Sequence, residues 1–360
     1  MPWQKQLIFY GDAASPLLAP RGVCLHGKVL VVSDTGQNRV FVWKNFNHSS
    51  HQPPDVVLGQ TNTTDTGRNA QGAAGACSLQ YPSGVWTNGV QLIVADAWNH
   101  RVLIWHSLPV HHGQPADVVV GQRDFMHTEP NGAGIGAAPH AGSLYWPYGV
   151  WSQHNALWIA DTGNRRVLYY ANIPAENGAA ADAVIGQPDM HSRDYDPQHA
   201  IWPYAVKTNT AGNLLITDTQ YYRVLLWQQG QKALHGMPAD VLLGQPDFAA
   251  NGQNQYGLKP AAHTLNWTYD ACFTNDGIAV ADTGNSRIMI WNELPNGHSC
   301  AASEQLGQPD FCTNGESSLS MKSTVANEMY WPFAVQYQED MLVVADTGNH
   351  RIIFYTANNT

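Results

Sequence analysis

One motif, repeated six times, constrains the fold more than any other feature of this sequence. Each copy has β-branched or aliphatic residues, an Asp, a four-residue gap, an Arg and a second apolar run. Successive Asp residues lie 62, 65, 57, 64 and 64 positions apart. Such regular self-similarity indicates a repeat architecture in which each copy is one supersecondary unit. The copies are VVSDTGQNRVFVW (31–43), IVADAWNHRVLIW (93–105), WIADTGNRRVLYY (158–170), LITDTQYYRVLLW (215–227), AVADTGNSRIMIW (279–291) and VVADTGNHRIIFY (343–355).

Two further segments accompany the motif. A short apolar run, opened by Pro in five copies, precedes each one, as in WPYGV (146–150), and a run ending in Gly-Gln follows five of them, as in VLLGQ (241–245). Short blocks of Val, Ile, Leu and aromatic residues between turn residues are typical of strands, and no helical period runs through them. Each unit is therefore predicted to hold four strands, which we call A, B, C and D.

The sixth unit ends after its strand C, and the N-terminus supplies the missing strand D. Residues 8–12 match the runs that end in Gly-Gln elsewhere. This offset predicts an all-β, six-bladed β-propeller of four-stranded blades, in which the N-terminal strand completes the last blade and closes the ring. We interpret residues 1–360 as a single propeller domain. The blade anchors lie near 34, 96, 161, 218, 282 and 346.

The pattern Asp-Thr-Gly-Asn-x-Arg, with Pro-x-Gly-Val before it, resembles the NHL repeat. The Gly-Gln-Pro-Asp-Phe segments at 244–248 and 307–311 are similar to those of bacterial NHL-repeat proteins. The resemblance covers essentially the whole chain and implies a six-bladed propeller. In the related peptidylglycine amidating lyases, zinc-binding histidines follow the strand-A proline on three blades. No histidine occupies that position here, so the resemblance does not imply that lyase activity.

The residues that recur in every blade are expected to serve the fold. The Asp at the end of strand B is expected to accept hydrogen bonds from the N–H groups of the following turn. The turn glycines, of which Gly163 is one, are expected to adopt positive φ. The Arg of strand C is expected to pair with a carboxylate or to bind carbonyls between blades. The aromatic residue four positions later is expected to fill the space between blades.

Function is more readily found where the blades differ, and the residue after the strand-A proline differs most. One such residue from each blade should border the axial mouth on the face that carries the D–A and B–C connections, the top face. These residues are Arg21, Ser83, Tyr148, Tyr204, Tyr269 and Phe333, and Asp270 follows Tyr269. Aromatic walls with a few polar groups fit a small-ligand site, with Arg21 placed to meet an anion. The alternative is that these side chains only plug the channel.

Two B–C turns also depart from the repeat. Trp98 replaces the turn glycine of the second blade, and Tyr221 and Tyr222 interrupt the fourth. These aromatic residues are interpreted as top-face contacts, or alternatively as packing beneath a neighbouring loop. Most of the D–A loops are long and rich in Gly, Asn and Ala, which is common in functional or mobile loops.

A metal site is the principal alternative. His140, His199 and His263 lie in three consecutive D–A loops, shortly before strand A, and could bind one transition-metal ion. With 16 histidines in the chain, ordinary surface histidines remain the simpler interpretation. The sequence therefore predicts a non-catalytic binding platform for a protein partner or a small ligand, without a cofactor. The alternative is a metal-dependent hydrolase or lyase with its site at the axial mouth.

Composition excludes some partners. The formal net charge is −10, and the 18 Lys and Arg show no cluster beyond the six repeat anchors, so a nucleic-acid partner is not expected. No stretch is long and apolar enough to cross a bilayer, so no membrane partner is expected. The five cysteines show no disulfide or zinc spacing. We expect a cytoplasmic protein, with a secreted form that has lost its signal peptide as the alternative.

Overall fold

The computed structural model describes residues 3–315 and 328–357. Their strands form six four-stranded antiparallel sheets. Five sheets are built from four consecutive strands, and the sixth has the order β22–β23–β24 followed by the N-terminal β1. The predicted β-propeller, including ring closure by the N-terminal strand, is confirmed.

The blades follow one another along the chain. Blade one holds β2 to β5, at Gly22–His26, Val29–Asp34, Arg39–Trp43 and Val56–Leu58. Blade two holds β6 to β9, at Pro82–Thr87, Leu92–Asp96, Arg101–Trp105 and Val118–Val120. Blade three holds β10 to β13, at Pro147–Gln153, Ala156–Asp161, Arg166–Tyr170 and Ala183–Ile185. Blade four holds β14 to β17, at Pro203–Thr208, Leu214–Asp218, Arg223–Trp227 and Val241–Leu243.

Blade five holds β18 to β21, at Thr268–Phe273, Ile278–Asp282, Arg287–Trp291 and Glu304–Leu306. Blade six holds β22 to β24 and β1, at Pro332–Gln338, Met341–Asp346, Arg351–Ala357 and Trp3–Phe9. The closing pair β1–β24 is antiparallel, from Trp3 opposite Ala357 to Phe9 opposite Ile352, with a bulge after Lys5. The N-terminal segment therefore occupies the strand-D position that the sequence assigns to it.

Helical structure is confined to connections. Five B–C turns contain a 3-10 turn, at Thr35–Gln37, Ala97–Asn99, Thr162–Asn164, Thr283–Asn285 and Thr347–Asn349. Three D–A loops contain another, at Arg68–Gln71, Pro130–Gly132 and Gln253–Tyr256. An α-helix of four residues, Gln231–Leu234, lies between strands C and D of blade four. No helix in the described part of the chain is long and apolar enough to cross a bilayer.

The apolar core lies between blades. Each of six buried clusters is shared by two neighbouring blades, including a cluster between blades six and one that contains Phe9 and Phe354. The aromatic residue that ends each strand C contributes to the cluster shared with the preceding blade, as Trp105 does between blades one and two. Its indole Nε1 donates to the Gln114 carbonyl at 3.2 Å. The ring is therefore stabilised by the same apolar packing at every junction.

Every blade contains a buried Asp–Arg pair, with Nε to Oδ2 distances from 2.7 to 3.0 Å. In blade three, Asp161 Oδ1 also accepts from Tyr145 N at 2.7 Å, just before strand A. The guanidinium of Arg166 donates to the carbonyls of Met190, His140 and Ser143. The pair therefore fixes both flanking D–A loops to the blade. The expected bonds from backbone N–H groups of the following turn to the Asp are not formed. The turn instead contributes the side-chain amide of Asn164, which donates to Asp161 Oδ2 at 2.8 Å.

The expected role of the turn glycines was also wrong. Gly163 and its counterparts do not have positive φ; the left-handed residue is the one before the Arg, Arg165 in blade three. A Cβ on Gly163 would lie 2.6 Å from the ring of Tyr145 and 2.7 Å from its carbonyl oxygen. Glycine is therefore needed for a close approach between the B–C turn and the entry to strand A, rather than for its backbone conformation.

The B–C turns and the D–A loops lie together on the top face. In blade two, the Gln122 side-chain amide donates to the carbonyl of His100 in the B–C turn and to that of Glu129 in the D–A loop. The Gln of the Gly-Gln segment makes the same two kinds of contact in blades one, three, four and five. This repeated contact fixes the loops that surround the axial mouth.

Candidate functional site

The residues after the strand-A proline meet around the propeller axis. Tyr148 and Tyr204 stack with ring centroids 4.5 Å apart. Tyr204 packs edge-on against Tyr269 at 4.6 Å, and Tyr269 lies 4.2 Å from Phe333. Four aromatic rings from four consecutive blades therefore form a continuous arc. We call the residues at the six corresponding positions the inner ring: Arg21, Ser83, Tyr148, Tyr204, Tyr269 and Phe333.

Arg21 lies at the end of the aromatic arc. Its guanidinium carbon is 3.9 Å from the centre of the Phe333 ring and 5.0 Å from that of Tyr81. Burial acts to lower the pKa of Arg21, and Tyr204 and Tyr81 outweigh that effect, so the pKa lies above its ordinary value. No carboxylate among the described residues forms an ion pair with this guanidinium.

The channel beneath the inner ring is narrow. Its cavity measures about 30 Å³, close to the volume of a water molecule. Asp270 lies in its wall, where Oδ2 accepts from Val335 N at 3.1 Å and Oδ1 is 3.8 Å from Lys207 Nζ. Burial raises the pKa of Asp270, and Lys207 opposes that rise. Asp270 therefore joins blades four, five and six inside the channel, and the inner ring forms a floor rather than an open pore.

A second set of residues, aromatic in five of the six blades, lies directly before the strand-A proline position. These residues, which we call the outer ring, are Ala19, Tyr81, Trp146, Trp202, Trp267 and Trp331. The four tryptophans are between 36% and 44% exposed. Trp146, Trp267 and Trp331 have φ of 51°, 47° and 49°, a region that bulky residues rarely occupy. Neighbouring B–C turns hold two of their amides, since Trp146 N donates to His100 Nδ1 and Trp331 N donates to Ser286 Oγ.

The two rings border a groove on the top face between blades five and six. Its volume is about 450 Å³, within the range of small-molecule sites. Trp267, Tyr269, Trp331 and Phe333 form its aromatic walls, and Arg21 lies at its axial end. Burial raises the pKa of Tyr269 well above its usual range, so its hydroxyl stays protonated at neutral pH. The groove therefore combines aromatic surface with a cation and a hydroxyl.

The groove is open at blade five because the residue two positions before strand A is small there. Tyr145 and Tyr330 pack against the turn glycines of blades three and six at this position. In blade five the residue is Asn266, which contacts Gly284 in the same way but lacks a phenol ring. The side chain of Asn266 is 3% exposed, and its Oδ1 has no hydrogen-bond partner. Asn266 Oδ1 is therefore a buried acceptor without a donor, and it has no surface open to the groove.

The aromatic residues of the irregular turns have different environments. Trp98 is 47% exposed and stacks on Tyr81 with centroids 4.5 Å apart. Tyr222 is half-buried and packs edge-on against Trp267 at 5.4 Å. Tyr221 is buried, and its hydroxyl pairs with that of Tyr195. Trp98 and Tyr222 therefore lie on the top face beside the outer ring, whereas Tyr221 is not exposed and cannot serve as a top-face contact.

The three loop histidines lie on separate blades. His140 and His263 are exposed, and His199 is half-buried with Nε2 3.9 Å from Asp196 Oδ2. Burial lowers the pKa of both His140 and His199. Within residues 3–315 and 328–357, no three His, Cys, Asp or Glu side chains are placed to share a metal ion. The structure thus does not bring these histidines together.

The outer ring and Asn266 are the parts of the site that the sequence analysis missed. The signal was present, because the residue directly before strand A is Tyr or Trp in five of six blades. Because an aromatic residue recurs at this position, it resembles the repeat residues that serve the fold. The structure shows that, unlike the buried repeat aromatics, these side chains are partly exposed at the axial mouth.

No protein-family model and no curated protein sequence match this chain. Among solved structures, it is similar to selenomethionine-substituted virginiamycin B lyase from Staphylococcus aureus, with 9% identity, 99% of each chain covered and a TM-score of 0.51. A catalytically inactive form of that lyase with quinupristin has 10% identity, coverage of 99% and 100%, and a TM-score of 0.49. The computationally designed protein Ika8 has 8% identity, coverage of 97% and 100%, and a TM-score of 0.43. At such low identity, the first likeness shows the β-propeller fold alone.

Proposed function

We propose that this protein is a non-catalytic NHL-type propeller that binds a small ligand on its top face at the axial mouth. The observation that carries the proposal is the pair of aromatic rings, which meet at a groove of about 450 Å³. Exposed tryptophans in left-handed backbone conformations carry a cost of about 1–3 kcal/mol each. Strain of this kind concentrates at ligand sites, where surrounding structure holds the residue in place.

The NHL-type assignment is supported by the recurring Asp-Arg pairs. Each pair is buried, and its Asp accepts from a backbone amide just before strand A in all six blades. In blades one to five the Arg also binds carbonyls of both flanking loops, so the repeat motif serves the blades. Because the motif residues serve the blades, we place the ligand site at the positions that vary among the blades. Arg21, Tyr269 and Asn266 are such positions.

The experiment is a ligand-observed NMR screen of the full chain against chemically diverse fragments and short peptides. The Trp267→Ala/Trp331→Ala double variant should lose most hits, since both side chains line the groove. The control is Val90→Ala, which trims an exposed side chain in the A–B turn of the opposite face. Absence of hits, or equal loss in both variants, refutes the small-ligand platform. If only peptides bind, the small-ligand proposal is wrong and the top face binds a protein partner instead.

A further inference from the structure

The groove between blades five and six is lined by a cation that no described carboxylate pairs with. Arg21 lines it and forms no ion pair with a described carboxylate. A guanidinium in a partly buried site gains most from a carboxylate, which it can bind through two parallel hydrogen bonds. The remaining charges near the axis, Lys207 and Asp270, already pair with each other at 3.8 Å. The free positive charge of the site therefore belongs to Arg21.

The charge of the site matches a monoanion. Arg21 is the sole Lys, Arg or His among the residues that line the described groove. A phosphate monoester carries close to two negative charges at neutral pH, which a single guanidinium balances only in part. A carboxylate carries one charge and fits the planar guanidinium. The overall charge of −10 further disfavours a dianion that is not fully neutralised.

The aromatic walls of the groove determine which chemical group can accompany the carboxylate. Trp267, Trp331, Tyr269 and Phe333 offer aromatic surface to a flat ring. We propose that this groove binds an aromatic or heteroaromatic carboxylate, with the carboxylate on Arg21 and the ring between the aromatic walls. This inference rests on the proposed top-face platform and specifies its ligand class.

Calorimetric titration of the full chain tests the ligand class with three probes. Indole-3-acetate has a ring, a donor and a carboxylate; indole-3-acetamide lacks the charge; 1-naphthaleneacetate lacks the N–H donor. We expect indole-3-acetate to bind about tenfold or more tightly than the amide, because charged hydrogen bonds contribute about 1.5–3 kcal/mol. We expect 1-naphthaleneacetate, which keeps the ring and the carboxylate, to bind about as tightly as indole-3-acetate.

Three variants locate the binding. Arg21→Gln should bring indole-3-acetate down to the affinity of the amide. Asn266→Tyr, which copies Tyr145 and Tyr330 of two other blades, should fill the groove and abolish binding without unfolding the blade. Trp202→Ala is the matched control, since Trp202 is an outer-ring residue of similar exposure that does not line the groove, and it should bind as the wild type does.

The outcomes separate this inference from the platform itself. Equal affinity for indole-3-acetate and its amide overturns the carboxylate assignment. Binding that survives Asn266→Tyr overturns the groove. If the fragment screen finds top-face ligands and none of the three probes binds, the ligand class is wrong while the platform stands. If the screen also finds nothing that depends on Trp267 and Trp331, both proposals fail.

Discussion

Acidification should weaken the fold through His100, whose ring helps to position an outer-ring tryptophan. His100 is the left-handed residue of the blade-two B–C turn, with φ of 53°. Its side chain is 8% exposed, and Nδ1 accepts from Trp146 N at 3.1 Å. Protonation of Nδ1 would turn this acceptor into a donor facing another donor. Burial accordingly lowers the pKa of His100 from its ordinary value of 6.5 to about 4.

The sign and size of the effect follow from these two values. Between pH 6.5 and about 4 the unfolded chain binds a proton at His100 that the folded chain does not, so the free energy of unfolding falls as the pH drops. At about 1.4 kcal/mol for each pH unit between the two values, the full loss is about 3 kcal/mol. The loss begins near pH 6.5 and is complete once the pH passes below about 4.

The comparison variant comes from the chain itself. In blade one the corresponding residue is Asn38, whose Oδ1 accepts from Tyr81 N at 2.9 Å. His100→Asn should keep the acceptor and remove the titration, so its unfolding free energy should fall about 3 kcal/mol less than that of the wild type between pH 7 and 4. His350→Asn, at the matching exposed position of blade six, measures the cost of the replacement itself.

Urea unfolding followed by tryptophan fluorescence at several pH values supplies the measurement. Subtracting the variant from the wild type cancels the carboxylates and the other histidines, which titrate in both proteins. A difference that stays flat from pH 7 to 4 would show that His100 is protonated in the folded protein, and the account of its buried acceptor role would then be wrong. A difference, wild type minus variant, that grows as the pH falls would contradict the sign.

Two further changes test what holds the blades together. Asp161→Ala should cost about 3–5 kcal/mol in urea unfolding because its arginine stays buried without a partner, whereas Asp124→Ala in an exposed pair should cost far less. Equal effects would refute the role of the buried pair. Gly149→Ala should destabilise by about 1–3 kcal/mol, since its Cβ would lie 2.4 Å from the Tyr204 carbonyl oxygen, while Gly75→Ala meets open space. Similar melting temperatures for the two would exclude the blade–blade contact.

The architecture was predictable because its signals recur in register. Six spaced Asp–Arg anchors and the early strand-D segment determine the number of blades and the position of closure. The partners of the repeat residues were not predictable in the same way. The Asp161 carboxylate bonds to Tyr145 N, 16 residues earlier in the chain, and Gly163 packs against the same tyrosine. The sequence of the turn alone does not predict either contact, because Tyr145 reaches the turn only through the pairing of strands A and B.

The inner ring could be anticipated because it depends only on which residue follows the strand-A proline. The groove could not be anticipated, since it depends on two residues that only the fold brings together. Asn266 lacks the phenol ring that two other blades carry at its position, and it lines the same groove as Arg21, which comes from a different blade and has no carboxylate partner. Neither residue looks unusual alone. A sequence without coordinates gives no measure of an acceptor that lacks a donor, such as Asn266 Oδ1.

Differences among the blades explain why the groove beside Arg21 is open at blade five. In blades three and six a tyrosine occupies the position before the outer-ring residue, as Tyr145 and Tyr330 do. In blade two, Trp98 replaces the turn glycine and covers Tyr81 by stacking. Blade five has the small Asn266 and keeps Gly284, so neither kind of filling is present there. One of these two positions carries a large aromatic side chain in blades two, three and six, whereas both positions are small in blade five, beside the groove that we propose as the ligand site.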